Sequence, residues 1–182
     1  MHRRTAFLAT PALLVTLLVT LPGPPAEATP GAATFMLPRA GALTITAPVA
    51  MSLGSAPPGG TMTVQMQTMT VTDTREPGAG RWTASVSSTN YTRTTTPVVT
   101  IDRANMSYWS GPATATQGGG TFVPGQPTAA QRVSLSATRV AFSHVAIAGV
   151  NNCNWRPTLT MSIPFAGVTT GTYTGVITHS VA

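Results

Sequence analysis

The sequence has no lysine, one cysteine and only four acidic residues among its 182. Each scarcity excludes something. A lone thiol, Cys153, cannot close an internal disulfide, so stability has to come from a packed core, and the thiol is either a small buried residue or an intermolecular partner. All ten basic residues are arginines, scattered along the chain rather than gathered in a stripe, which argues against a nucleic-acid partner. The acids are Glu27, Asp73, Glu76 and Asp102, and the histidines are His2, His144 and His179. General acid–base catalysis needs such groups to converge in a cleft, and a glycosidase needs two carboxylates. Asp73 and Asp102 are the only separated pair, and Asp73 stands where a turn-forming carboxylate is expected. Cys153 with His144 and His179 cannot complete a four-ligand zinc site without a carboxylate. The expectation is a chain that is not an enzyme and has no cofactor and no metal.

Long hydrophobic runs are missing too, apart from one near the start. His2, Arg3 and Arg4 precede Ala6–Leu21, which carries no charge and is rich in Leu and Val. Pro22, Gly23, Pro24 and Pro25 follow, and then the small-x-small triplet Ala26-Glu27-Ala28. That is the order of a secretory signal, and the run is shorter than the roughly 20 residues that span a bilayer. We therefore expect residues 1–28 to be a cleaved signal peptide, 29–39 a flexible Pro/Ala/Gly-rich lead-in and 40–182 a single domain with no membrane span. The exported part holds eight arginines against three acids, a net charge of +5. No apolar tail or sorting motif is expected to follow Val181-Ala182, so a protein that stays at the surface is expected to be held there non-covalently.

What is present after residue 40 is alternation with period two, the pattern of strands with one buried face. Leu43, Ile45, Ala47 and Val49 form one apolar row, and Met62, Val64 and Met66 a second. Met69 and Val71 then occupy the opposite parity, which predicts a bulge or break near Gln67-Thr68. Trp82, Ala84 and Val86 continue after a turn spanning Asp73 to Arg81. Further strands are expected over Val98–Asp102, Asn105–Trp109, Val133–Ala137 and Arg139–Ala148. Closing rows are Leu159, Met161 and Ile163, then Tyr173, Ile177 and Val181. Gly111–Thr128, with its Gly118-Gly119-Gly120 run, reads as a long surface loop. No stretch has a capped 3.6-residue stripe. The fold class expected is all-β, an Ig-like antiparallel β-sandwich.

Two blocks resemble the WxL domains of Gram-positive cell surfaces. The first is Val71-Thr72-Asp73-Thr74-Arg75, a Gly-containing turn, then Trp82-Thr83-Ala84-Ser85-Val86-Ser87. The second is Trp155 with Pro157–Pro164, followed by the closing run Gly171–Thr178 around Tyr173. Neither tryptophan begins a literal Trp-x-Leu: Thr83-Ala84 follows the first and Arg156-Pro157 the second. The resemblance implies a secreted domain attached non-covalently to the wall, through peptidoglycan, with Asp73, Trp82 and Tyr173 as structural motif residues.

The residues themselves supply binding chemistry better than catalysis. Aromatic faces stack on sugar rings, and arginine pairs with carboxylates or phosphates. The candidates are Tyr108, Trp109, Trp155, Arg75, Arg81 and Arg156, with Tyr91 and Arg103 close by in sequence. Trp82 and Trp155 have a second role open to them, as core anchors between sheets. Tyr108 and Trp109 are consecutive, so on a strand they point to opposite faces and one is expected to be accessible. A competing expectation is a structural or adhesive subunit, whose Thr-rich strands leave edges for self-association or for docking with other surface proteins.

Overall fold

The computed structural model describes residues 41–75, 80–145 and 149–182. The expected signal peptide and lead-in lie outside these residues, as do Glu76–Ala79 of the expected turn and 146–148. Among the described residues there is no α-helix. The strands are β1 (Leu43–Thr46), β2 (Thr61–Gln65), β3 (Met69–Asp73), β4 (Trp82–Ser88), β5 (Tyr91–Arg93), β6 (Val99–Ile101), β7 (Met106–Trp109) and β8 (Ala113–Gln117). They continue with β9 (Thr121–Pro124), β10 (Val133–Ser134), β11 (Arg139–Val145), β12 (Asn151–Trp155), β13 (Thr158–Ser162), β14 (Tyr173–Thr174) and β15 (Ile177–Val181).

Every pairing among them is antiparallel, and the fold is an all-β sandwich. Four sheets are ordered β1-β3-β12-β8, β10-β7-β13-β2, β15-β4-β11-β9 and β14-β5-β6. The first two share a design. β3, β12 and β8 of one sheet continue into β2, β13 and β7 of the other after interruptions of a few residues, in the same lateral order. They make one layer with a crease. The parity flip in the sequence is this crease: the chain leaves one sheet at Gln65 and enters the next at Met69, and the Met66 N–H donates to the Pro157 carbonyl at 2.7 Å across it. Pro157 cannot donate to a ladder, which suits it to an interruption.

The core lies between this layer and the sheet containing β4 and β11. Phe142 of β11 packs against Trp155 of β12 with ring centroids 5.1 Å apart. Met69, Val71, Ala84, Val86, Leu159 and Met161 point inward and are buried. Thr, Ser and Gln alternate with them on the outside, which is why period two was visible at all.

Several expectations need correction. Gly111–Thr128 is not a long loop but holds two edge strands, β8 on β12 and β9 on β11. The triglycine run carries the chain from one layer to the other. Gly120 has φ +97°, and a side chain there would run into the His144 ring. The strand β12 was not foreseen, because Asn151, Asn152 and Asn154 have low strand propensity, and β5 was likewise missed. Val49 does not join the row of Leu43 and Ile45: β1 ends at Thr46, before Pro48, and Val49 is fully exposed. Only Val133–Ser134 of the expected strand over Val133–Ala137 is extended in a ladder. Tyr173 belongs to a different sheet from Ile177 and Val181, so the three do not form one row. A register shift between Val140 and Phe142 turns Val140 outward while Phe142 stays buried.

Candidate binding face

Asp73 ends β3 with its carboxylate buried, and Arg75 clamps it. Arg75 Nε and Nη2 donate to Asp73 Oδ1 and Oδ2, each at 2.9 Å, and the Arg75 backbone N–H donates to Oδ1 at 3.0 Å. The guanidinium beside Asp73 holds that carboxyl below its usual range, against the opposing effect of burial. Asn151 links this pair to Trp82: its amide approaches Asp73 Oδ2 at 3.4 Å, and Trp82 Nε1 donates to Asn151 Oδ1 at 2.8 Å. Trp82 in turn stacks on His144 at 5.9 Å. The His144 ring nitrogens lie 2.6 Å from the Gly80 carbonyl and 2.8 Å from that of Gly119, so the ring clasps two turns. This network closes one end of the sandwich. Asp102 has a different duty, accepting from Ala104 N at 2.7 Å to cap a 3₁₀ turn. Of the two carboxylates that a hydrolase would pair, one is held in an ion pair with Arg75 and the other caps a turn.

The six binding candidates divide. Tyr108 and Trp155 have no exposed surface, so their rings are core elements and offer no face to a ligand. Trp155 Nε1 donates to Tyr108 Oη at 3.3 Å, and burial raises the Tyr108 phenol well above its ordinary pKa. Arg75 is engaged with Asp73, and it also donates to the Arg81 carbonyl at 2.7 Å. Arg81 itself is exposed beside that turn. Tyr91 is buried, within 3.0 Å of Ser88 Oγ, and Arg103 donates to the Ser88 carbonyl. Tyr173 is half-buried, its hydroxyl donating to the Thr169 carbonyl at 2.8 Å. Cys153 is wholly buried, its thiol pushed up to about 12, so an intermolecular disulfide would require the sheet to open.

Trp109 and Arg156 remain, and the fold brings them to the crease. Trp109 points outward from β7, opposite to buried Tyr108, and is half-buried. Arg156 stands exposed between buried Trp155 and Pro157. Gly111, with φ +70°, lies between them: a Cβ there would sit 3.4 Å from Trp109 Cζ3 and 3.8 Å from the Arg156 carbonyl oxygen. The ring folds over backbone that carries no side chain. Arg75 and Arg81 are elsewhere, since the Asp73–Asn151 and Met69–Trp155 rows lie at opposite ends of β12, roughly 13 Å apart at the usual strand rise.

The ladder residues around Trp109 are uncharged. Gln65, Thr158 and Trp109 form one cross-strand row. Thr63, Thr160 and Ser107 form the next, with Thr63 and Thr160 hydroxyl oxygens 3.2 Å apart. Beyond the crease, Thr46, Thr70, Asn154 and Ala115 align across four strands. Asn154 Oδ1 is buried and accepts no hydrogen bond. Sequence reading missed these asparagines because it did not place them on a strand; their alternation with Cys153 and Trp155 was the available signal.

The chain matches no family model, no curated protein and no solved structure. No helix among the described residues is long and apolar enough to cross a membrane, and none of their His, Cys, Asp and Glu side chains cluster as a metal site.

Proposed function

We propose that this protein is a secreted, non-catalytic cell-surface domain that attaches non-covalently to the cell wall, with peptidoglycan as its polymer. The observation that carries the reading is Trp109, a partly exposed aromatic ring on an otherwise hydroxyl- and amide-covered sheet face. An aromatic platform among uncharged hydrogen-bonding groups suits a sugar ring, whose faces are apolar and whose edges are polar. The signal-like start and the two WxL-like blocks support export and wall attachment. The test is co-sedimentation of the mature chain with purified sacculi. Trp109→Ala is expected to weaken binding about tenfold, the effect of about 1.4 kcal/mol, with little change in thermal stability. A wild-type protein that stays in the supernatant at physiological salt would refute wall attachment.

A second reading, a self-associating surface subunit, is favoured by β8. This edge strand, Ala113-Thr114-Ala115-Thr116-Gln117, carries no charge and no proline, the two devices that usually block strand addition. It predicts dimers that Thr114→Pro disperses, measured by light scattering across a wide concentration range. A strictly monomeric wild type would exclude it.

A further inference from the structure

Among the described residues Arg156 makes no hydrogen bond or ion pair, whereas Arg75, Arg93, Arg103 and Arg139 are each engaged with a carboxylate or with backbone carbonyls. Arg81 is also exposed but lies at the Asp73 end of the layer, whereas exposed Arg132 precedes Val133, the partner of Tyr108, and so falls opposite Trp109 as a second cation beside the ring. The outward positions of β2, β7 and β13 next to Arg156 are hydroxyl, amide or indole groups. Asp73, the one carboxylate in the creased layer, faces inward and is held by Arg75. An exposed arginine whose backbone lies across Gly111 from an aromatic platform, with no acid paired to it among the described residues, suits an anion attached to a stacked ring.

We infer that this face takes an anionic glycan, with a sugar ring on Trp109 and its carboxylate or phosphate on Arg156, and that Arg156, with Arg132 beside the same ring, selects charged polymer over neutral. The inference rests on the proposed wall attachment and adds the chemistry of the polymer. Gly111 is part of the same device. Its left-handed φ, which lets the backbone turn between Trp109 and Arg156, is one that other residues adopt with strain.

Wild type, Arg156→Gln, Arg156→Lys and Trp109→Ala of the mature chain would be sedimented with sacculi at increasing salt. The sacculi would be intact, stripped of phosphodiester polymers, or amidated at their carboxyls. Indole fluorescence titrations with a soluble polyuronate, a polyol phosphate and a neutral glucan would run beside them. Expected are a loss of tenfold or more in Arg156→Gln, a flattened salt dependence and partial retention in Arg156→Lys. Thermal unfolding should be unchanged, because Arg156 is exposed. Loss on stripping identifies phosphate as the anion, and loss on amidation identifies carboxylate. If wild type sediments and Arg156→Gln matches it at low salt, the anionic selection is wrong while attachment stands. If no sacculus preparation binds but the polyuronate or polyol phosphate does so through Arg156, the attachment reading falls and the site survives. Equal binding of the neutral glucan, or binding of none, overturns the inference.

Discussion

Trp155→Ala should destabilise the domain by about 3–5 kcal/mol, the range for emptying a large aromatic from a closed core. Trp155 has no exposed surface and lies at the crease where the two halves of the layer meet. Its ring packs on Phe142 of the opposing layer, and its indole N–H donates to Tyr108 Oη. Truncation would open a cavity between layers and leave a buried phenol without its donor, two losses that add. Against a total of about 5–15 kcal/mol for a domain of this kind, that is a large share of the whole. Urea unfolding followed by intrinsic fluorescence would measure it, with Trp109→Ala as the comparison for a half-exposed ring. A loss below about 1 kcal/mol would mean that the core is not organised around Trp155.

The second large effect is a fall in stability on mild acidification, set by His179. This histidine packs beside Tyr108 at 5.8 Å, with Nε2 buried and lacking any hydrogen-bond partner, and desolvation lowers its pKa to about 4 from 6.5. Among the described residues no carboxylate is free to compensate a proton there, since Asp73 is clamped by Arg75 and Asp102 caps its 3₁₀ turn. In the unfolded chain the ring protonates near 6.5, so the unfolded state binds the extra proton first as pH falls. Stability is therefore full above about 6.5, declines between 6.5 and about 4, and levels off below that, by at most about 3 kcal/mol. Asp73 works in a separate, lower window: its pKa is depressed, so its contribution is full above the ordinary aspartate value of 3.8 and is lost as pH falls through the folded value. Denaturant midpoints measured from pH 7.5 to 3 should show the first decline in wild type and its absence in His179→Phe, which keeps the ring contact. A wild type with flat stability from 6.5 to 4 would show that solvent reaches His179 in the folded state.

Of the binding face, the sequence made Trp109 and Arg156 candidates but could not separate them from Tyr108, Trp155, Arg75 and Arg81. Aromatic and arginine residues serve cores and surfaces equally well, and only burial and partners distinguish the uses. Tyr108 and Trp109 illustrate this: alternation said that one would be accessible, and the side of β7 that meets the opposing layer decided which. The asparagines of β12 were illegible for a different reason. Their polarity hides a strand whose inward residues, Asn151, Cys153 and Trp155, are buried through hydrogen bonds and packing that come from distant parts of the chain.

By itself the sequence determined that the domain is built of strands, where most of them lie, and that the chain changes faces near Gln67-Thr68, because side-chain alternation is a local property of extended backbone. It also determined the poverty of ionisable groups, which no folding can alter. Tertiary structure alone decided that the change of face is a crease shared by three broken strands, and that the supposed loop Gly111–Thr128 carries an edge of each layer. It alone set Trp109 beside Arg156, residues 47 positions apart by number. Such pairings depend on which strands become neighbours, and that is settled by the joint packing of all the inward faces rather than by any one of them.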